Sequence, residues 1–257
     1  METRSFFMCS DCNAVGCYLL GGTSTMIHLH NLVVGYQGYG LAEPINGGFK
    51  RGSLTAIMGE NGAGKSTLLK TICGIQPAVS GSVSINKAVS LSWLPQQADI
   101  DRSFPINVFD VVAMGCWPRK SMMDSLRDAD IAKIYAALDE VGIRDLVNFS
   151  VNQLSGGQFQ RMLFARLLVQ DADVMMMDEP FTGIDSQTQD VLIKLMCKLH
   201  QSGKTVIAVL HNPEMVADFF PDTLAINNAC IHWGETHDVM ANCKLFHRQD
   251  RMAVRFG

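Results

Sequence analysis

The segment Gly59-Glu60-Asn61-Gly62-Ala63-Gly64-Lys65-Ser66, followed by Thr67, constrains this chain more than any other. It fits G-x-x-x-x-G-K-[ST] and lies between an apolar run at 54–58 and a segment whose Leu68, Leu69 and Ile72 share a helical face. A strand, a glycine-rich turn and a helix in that order form the context the motif requires. Small residues let successive backbone N–H groups turn inward around phosphate oxygens, and the helix N-terminus adds partial positive charge. Gly59, Asn61, Gly62 and Gly64 shape the turn, Lys65 reaches the β- and γ-phosphates, and the Ser66 hydroxyl can ligate Mg²⁺.

A second apolar run, at 174–177, ends in Asp178-Glu179. A strand end carrying two acids beside a phosphate loop gives Asp178 a role in holding Mg²⁺ through water. Glu179 then serves as general base or polarises the attacking water. Between the two motifs lies Leu154-Ser155-Gly156-Gly157-Gln158. A serine and two glycines opening a helix make another site of exposed N–H groups and a hydroxyl. One nucleotide has no use for two helix-terminal phosphate sites in one small domain, whereas two copies arranged head to tail use both.

The remaining pattern is α/β. Met26 opens an alternating strand with Ile27 and Leu29 apolar and His28 and His30 polar, and 206–210 is another apolar run. Val108, Val111 and Val112, then Ile131, Ile134, Leu138 and Val141, recur at helical spacing and predict a helical block between two strand-rich blocks. Strands alternating with helices predict a mostly parallel sheet. Residues 1–25 show no period and end in Gly21-Gly22-Thr23-Ser24-Thr25, so they read as a loosely ordered extension or a misassigned start before Met26.

Composition closes off several classes. Of 257 residues, 47% are apolar and 18% charged, a globular balance. The net charge of −4 disfavours a nucleic-acid binder. The longest apolar runs are far shorter than a membrane span. The eight cysteines are scattered and read as reduced thiols; Cys9, Cys12 and Cys17 form only half of a zinc pattern. His232, His237, Cys243 and His247 match no tetrahedral module and read as a solvated tail.

Taken together, the phosphate loop, the LSGGQ segment and the Asp178-Glu179 strand end resemble the ATP-binding subunits of ABC transporters over nearly all of 27–230. The resemblance implies a P-loop NTPase: a RecA-like parallel core (26–96 and 167–232) with an antiparallel β subdomain, an inserted α-helical signature subdomain (97–166) and a tail (233–257). It implies that Tyr36 stacks on adenine and that Gln96 senses Mg²⁺, with Gln97 as the neighbouring register. It implies that Asp185 lies in the loop crossing the dimer interface and that His211 contacts the γ-phosphate. Each composite site would combine the Lys65 loop of one copy with Ser155, Gly156, Gly157 and Gln158 of the other. Two departures appear: Asn212 stands where the family commonly has an acid, and the loop before Asp185 reads Thr-Gly-Ile rather than Ser-Ala-Leu.

The segment from Phe104-Pro105 to Val111-Val112-Ala113-Met114-Gly115 looks like the zinc/manganese/iron import subfamily; Gly115-Cys116-Trp117-Pro118 is also similar to the iron-siderophore and cobalamin group. The resemblance therefore implies an ATPase using ATP and Mg²⁺ as a homodimer. It would sit peripherally on the cytoplasmic face of the inner (plasma) membrane, bound to membrane-spanning permease subunits. A periplasmic or extracellular solute-binding protein would take part indirectly. The expected cargo is zinc or manganese. A siderophore- or cobalamin-type importer is the alternative, and a non-transport ABC ATPase a more distant one, since a single phosphate loop and a short insertion argue against it.

Overall fold

Leu54–Gly59 (β5) is buried over its first five residues, the pattern of a parallel strand covered on both faces. The computed structural model that shows this describes residues 24–36, 38–40, 43–119, 125–227 and 230–243. The 1–23 part of the expected extension, including Cys9, Cys12 and Cys17, lies outside the described residues, as does His247.

Ahead of β5 come Thr25–Val33 (β1), a small hairpin of Gly35–Tyr36 (β2) and Tyr39–Gly40 (β3), and Ile45–Lys50 (β4). After it come the helix Lys65–Ile72 (α1) and the strands Ser80–Ile85 (β6) and Leu91–Leu94 (β7). β4, β1 and β6 form an antiparallel sheet with β1 in the middle. The alternation read from Met26 onward places Ile27 and Leu29 inside and His28 and His30 outside.

The helical block holds Val108–Ala113 (α2), Asp128–Glu140 (α3) and Gly156–Gln170 (α4). Asn107 caps α2 by accepting from the Asp110 N–H at 2.8 Å. α4 runs without a break across 166/167, so the lobe and the core share one rigid helix where the sequence reading drew a boundary.

Val174–Asp178 (β8), Ser186–Gln201 (α5), Thr205–Val209 (β9), Pro213–Phe219 (α6) and Asp222–Asn227 (β10) complete the core. The large sheet has the order β11-β10-β5-β9-β8-β7, parallel except for β11. β11 is Cys230–Glu235, and Thr236–Asn242 (α7) follows it. The expected tail is thus corrected as far as Cys243. Those residues finish the sheet and add a helix; its Val239, and Cys243 just after its end, bury against Ala225. The sequence signal was weak because β11 is only half-buried on both faces and shows no clean alternation.

β8 divides the core. Met175 and Met177 face the cluster shared with the helical lobe, while Val174 and Met176 face the cluster under α1 and the antiparallel sheet. All four are fully buried. No helix among the described residues is long and apolar enough to cross a membrane.

Candidate active site

Three parallel strands end at one edge of the sheet, and their C-terminal ends supply the site, as expected for an open α/β sheet. β5 ends in Gly59 and runs on to Lys65 and Ser66, β8 ends in Asp178, and β9 leads to His211. Gly59 is packed against β10: a Cβ there would meet the Ile226 carbonyl oxygen at 2.2 Å. Gly62 and Gly64 adopt left-handed φ values of 82° and 91°, which glycine reaches without a Cβ clash.

The Lys65 ammonium folds back over the turn and donates to the carbonyls of Gly59 (2.9 Å) and Glu60 (2.8 Å). Burial lowers its pKa, and the nearby negative charges of Glu179 and Asp178 oppose that shift. Ser66 Oγ donates to Asp178 Oδ1 at 3.0 Å. Asp178 is 1% exposed, and its Oδ2 is buried without a hydrogen-bond partner. Desolvation raises its pKa, with the Ser66 hydrogen bond pulling the other way. A buried carboxylate oxygen without a donor is costly, and a cation would relieve that cost. The ligands on offer, a carboxylate and a hydroxyl, are hard oxygens that suit Mg²⁺. No group of three or more His, Cys, Asp or Glu that could hold a metal occurs among the described residues. A Mg²⁺ here would therefore complete its shell with water and phosphate oxygens.

Glu179 leaves the strand in the left-handed region, φ 50°. That conformation costs a non-glycine residue about 1–2 kcal/mol. Its carboxylate is held from both sides: His211 Nε2 donates to Oε1 at 2.7 Å and Thr182 Oγ1 donates to Oε2 at 3.1 Å. The Thr182 N–H also closes the turn on the Glu179 carbonyl at 3.2 Å.

Ser155 opens α4. Its Oγ accepts from the Gln158 N–H at 3.2 Å, and Gln158 Oε1 accepts from the Ser155 N–H at 2.9 Å, a reciprocal cap. Gly157 faces the start of α5, where a Cβ would lie 2.8 Å from both Asp185 Oδ2 and Thr188 Oγ1. Asp185 caps α5, accepting from Thr188 N (2.8 Å) and Thr188 Oγ1 (2.9 Å). These hydrogen bonds lower its pKa. Arg161 Nη2 also donates to Thr188 Oγ1, at 3.2 Å, tying α4 to α5.

The structure thus gathers Lys65, Ser66, Asp178, Glu179 and His211 at the sheet edge. It gathers Ser155, Gly157, Gln158 and Asp185 at the facing ends of α4 and α5. Thr67 is buried in α1. Tyr36 is 54% exposed on the β2–β3 hairpin beside Tyr39, apart from both groups in sequence. Gln96 immediately precedes a 3-10 turn at Gln97–Asp99. Its neighbour Gln97 reaches the signature helix, with Nε2 donating to the Gly156 carbonyl at 2.8 Å. The loop is fastened again by the Arg102 guanidinium, 3.9 Å from the Phe159 ring centroid. Sequence reasoning missed Thr182, Thr188 and Arg161. Asp185-x-x-Thr188 carries a cap-like spacing that could have pointed to Thr188.

Residues 42–182 match the family described as ABC transporter. The manganese transport system ATP-binding protein MntB of Bacillus subtilis is 37% identical, over 83% of this chain and 88% of its own length. The zinc transport system ATP-binding protein TroB of Treponema pallidum is 35% identical, over 81% and 80%. Among solved structures, a chain of an inward-facing ABC transporter, described as of metal-chelate type, superposes with a TM-score of 0.77 at 28% identity, covering 84% of this chain and 86% of its own. The dimeric ATP-binding cassette MJ0796 bound to ADP and Pi shares the fold, with a TM-score of 0.72 at 24% identity over 82% and 99%.

Proposed function

This chain belongs to the ABC transporter family, and on that premise we propose that it is the ATP-binding, ATP-hydrolysing subunit of an importer for a divalent metal ion, zinc or manganese. Hydrolysis is the reading the site supports best, and one observation carries it. Asp178 Oδ2 is buried and unpartnered next to the Ser66 hydroxyl, with the Glu179–His211 pair alongside.

In this reading the turn from Gly59 to Gly64 wraps the phosphates with backbone N–H groups. Lys65 exchanges its two carbonyl partners for phosphate oxygens. Ser66 and Asp178 would hold Mg²⁺, which when bound neutralises charge between the β- and γ-phosphates. Glu179 orients the attacking water, and His211 turns to the γ-phosphate. Tyr36 stacks on adenine, and Gln96 links the nucleotide edge to the lobe. Ser155, Gly156, Gly157 and Gln158 of a second copy close the site, with Asp185 crossing between copies, and closure excludes water. The chain acts peripherally on the cytoplasmic side of membrane-spanning permease subunits, and a solute-binding protein delivers the ion. The metal assignment draws on the manganese and zinc transport relatives.

The test uses the full chain, alone in solution for hydrolysis and oligomeric state and with its permease in vesicles for uptake. Glu179→Gln is expected to bind ATP, to hydrolyse it about 10²–10³-fold more slowly, and to accumulate as a dimer by light scattering. Wild-type hydrolysis in a strictly monomeric sample would sink the two-copy site. ATP-dependent uptake of manganese or zinc supports the cargo; uptake of a ferric chelate alone replaces it with the siderophore-type alternative.

A further inference from the structure

Glu179 is clasped by two donors that belong to different elements. His211 follows β9, whereas Thr182 lies in the same turn as Glu179 itself. The distinction matters once the site is used. One imidazole N–H cannot serve Glu179 Oε1 and a γ-phosphate together. When His211 moves to the phosphate, as in the function proposed above, Oε1 loses its donor. Glu179 sits at a left-handed backbone position, and among the described residues its carboxylate is hydrogen-bonded by His211 and Thr182 alone. We infer that Thr182 is a positioning residue for the hydrolytic step: its hydroxyl holds Glu179 Oε2 and keeps the carboxylate aimed at the attacking water after His211 has let go.

The geometry favours this role over a merely local one. The turn is already closed by the Thr182 N–H to the Glu179 carbonyl, at 3.2 Å. The side-chain bond is therefore not needed to form the turn. Because donor and acceptor share that turn, their hydrogen bond moves with the loop rather than against it. Each carboxylate oxygen accepts more than one hydrogen bond, so Thr182 on Oε2 leaves room for a water on the same group. Thr182 is exposed and Glu179 half-buried in the single chain, so the bond gains strength when a second copy excludes water. The same turn runs on to Asp185, whose carboxylate lies beside Gly157 at the start of α4. Changes where the copies meet therefore reach Glu179 through Thr182.

The experiment compares Thr182→Val, Thr182→Ser and Glu179→Gln in the full chain, with steady-state ATPase kinetics and melting temperature. Thr182→Val is expected to lower kcat roughly fivefold, with KM for ATP and Tm unchanged. Thr182→Ser restores the rate. In the Glu179→Gln background, adding Thr182→Val is expected to leave both the residual single-turnover rate and the ATP-driven dimer fraction unchanged, because the carboxylate it positions is gone. A Thr182→Val enzyme with wild-type kcat, while Glu179→Gln is inactive, overturns the inference and leaves the proposed function intact. So does a double variant that dimerises less than Glu179→Gln alone, since that assigns Thr182 to the loop's structure. If Glu179→Gln keeps the wild-type rate, the general-base reading falls and the inference falls with it.

Discussion

Asp178 and Ser155 sit at the ends of their elements and both face phosphate in the proposed cycle, yet their surroundings differ. On the phosphate-loop side, Asp178 Oδ2 is buried without a donor, Lys65 is desolvated, and Glu179 takes a left-handed backbone. On the signature side, Ser155 and Gln158 cap each other, and Asp185, Thr188 and Arg161 form a closed chain of hydrogen bonds. The first region is built with a deficit that a nucleotide and its cation would fill. The second has its hydrogen bonds met within the single chain. In the two-copy site proposed above, this division would keep the chemistry unfinished until the capped half of one copy meets the unfilled half of another.

The largest expected break of this contrast is Lys65→Ala. Removing a charge aimed at phosphate should weaken nucleotide binding by about 10–100-fold. Tm in the absence of nucleotide should hold or rise, because the buried ammonium is itself costly. Equilibrium binding of a fluorescent ATP analogue, together with a thermal melt, reads both. Gly157→Ala tests the other side. Its added methyl meets Asp185 Oδ2 and Thr188 Oγ1 at 2.8 Å, an overpacking that should cost about 1–3 kcal/mol. Tm should fall and ATP-driven dimerisation should weaken, while nucleotide binding by the monomer is unchanged. Loss of monomer binding would mean that the two regions are not separable.

The smallest effect sharpens the idea of a deficit. Burial holds the Asp178 carboxyl above the ordinary aspartate range, so the folded state binds its proton more tightly than the unfolded chain. Its charge therefore costs stability at neutral pH, and that stability is regained as pH falls through the folded-state pKa. Asp178→Asn should raise Tm by about 2 °C at pH 7 while abolishing Mg²⁺-dependent hydrolysis. The gain should shrink toward acid pH. A lower Tm for the variant at pH 7 would refute the account of Asp178 as a strained group.

What could be read from the sequence follows the range of the forces involved. The phosphate loop, the acid-ended strand and LSGGQ are set by local backbone requirements at fixed spacing, and each appears where the folded chain has the corresponding turn or helix start. The alternation from Met26 gave the inner and outer faces of β1 for the same reason. The Thr182–Glu179 contact was not legible, because it depends on a left-handed φ that a glutamate does not advertise. Neither was Gln97's reach to Gly156, which spans 59 residues and depends on how the lobe sits over the loop. β11 and α7 escaped notice because Ile231, His232 and Trp233 are all half-buried, leaving no periodic contrast, and because α7 itself buries only Thr236 and Val239.

The strand that ends in Asp178 is lined by three consecutive methionines, Met175, Met176 and Met177, facing alternately the lobe-side and nucleotide-side clusters. Unbranched thioether side chains adjust their shape at little cost. A β-branched lining fixes one packing arrangement; this one lets the side chains on either face readjust while the ladders to β7 and β9 hold the strand in register. The acids are thus mounted on a fixed rail bedded in compliant packing. Small displacements of the helical lobe against its own face of the strand can be taken up by Met175 and Met177, leaving Asp178 and Glu179 where the sheet holds them.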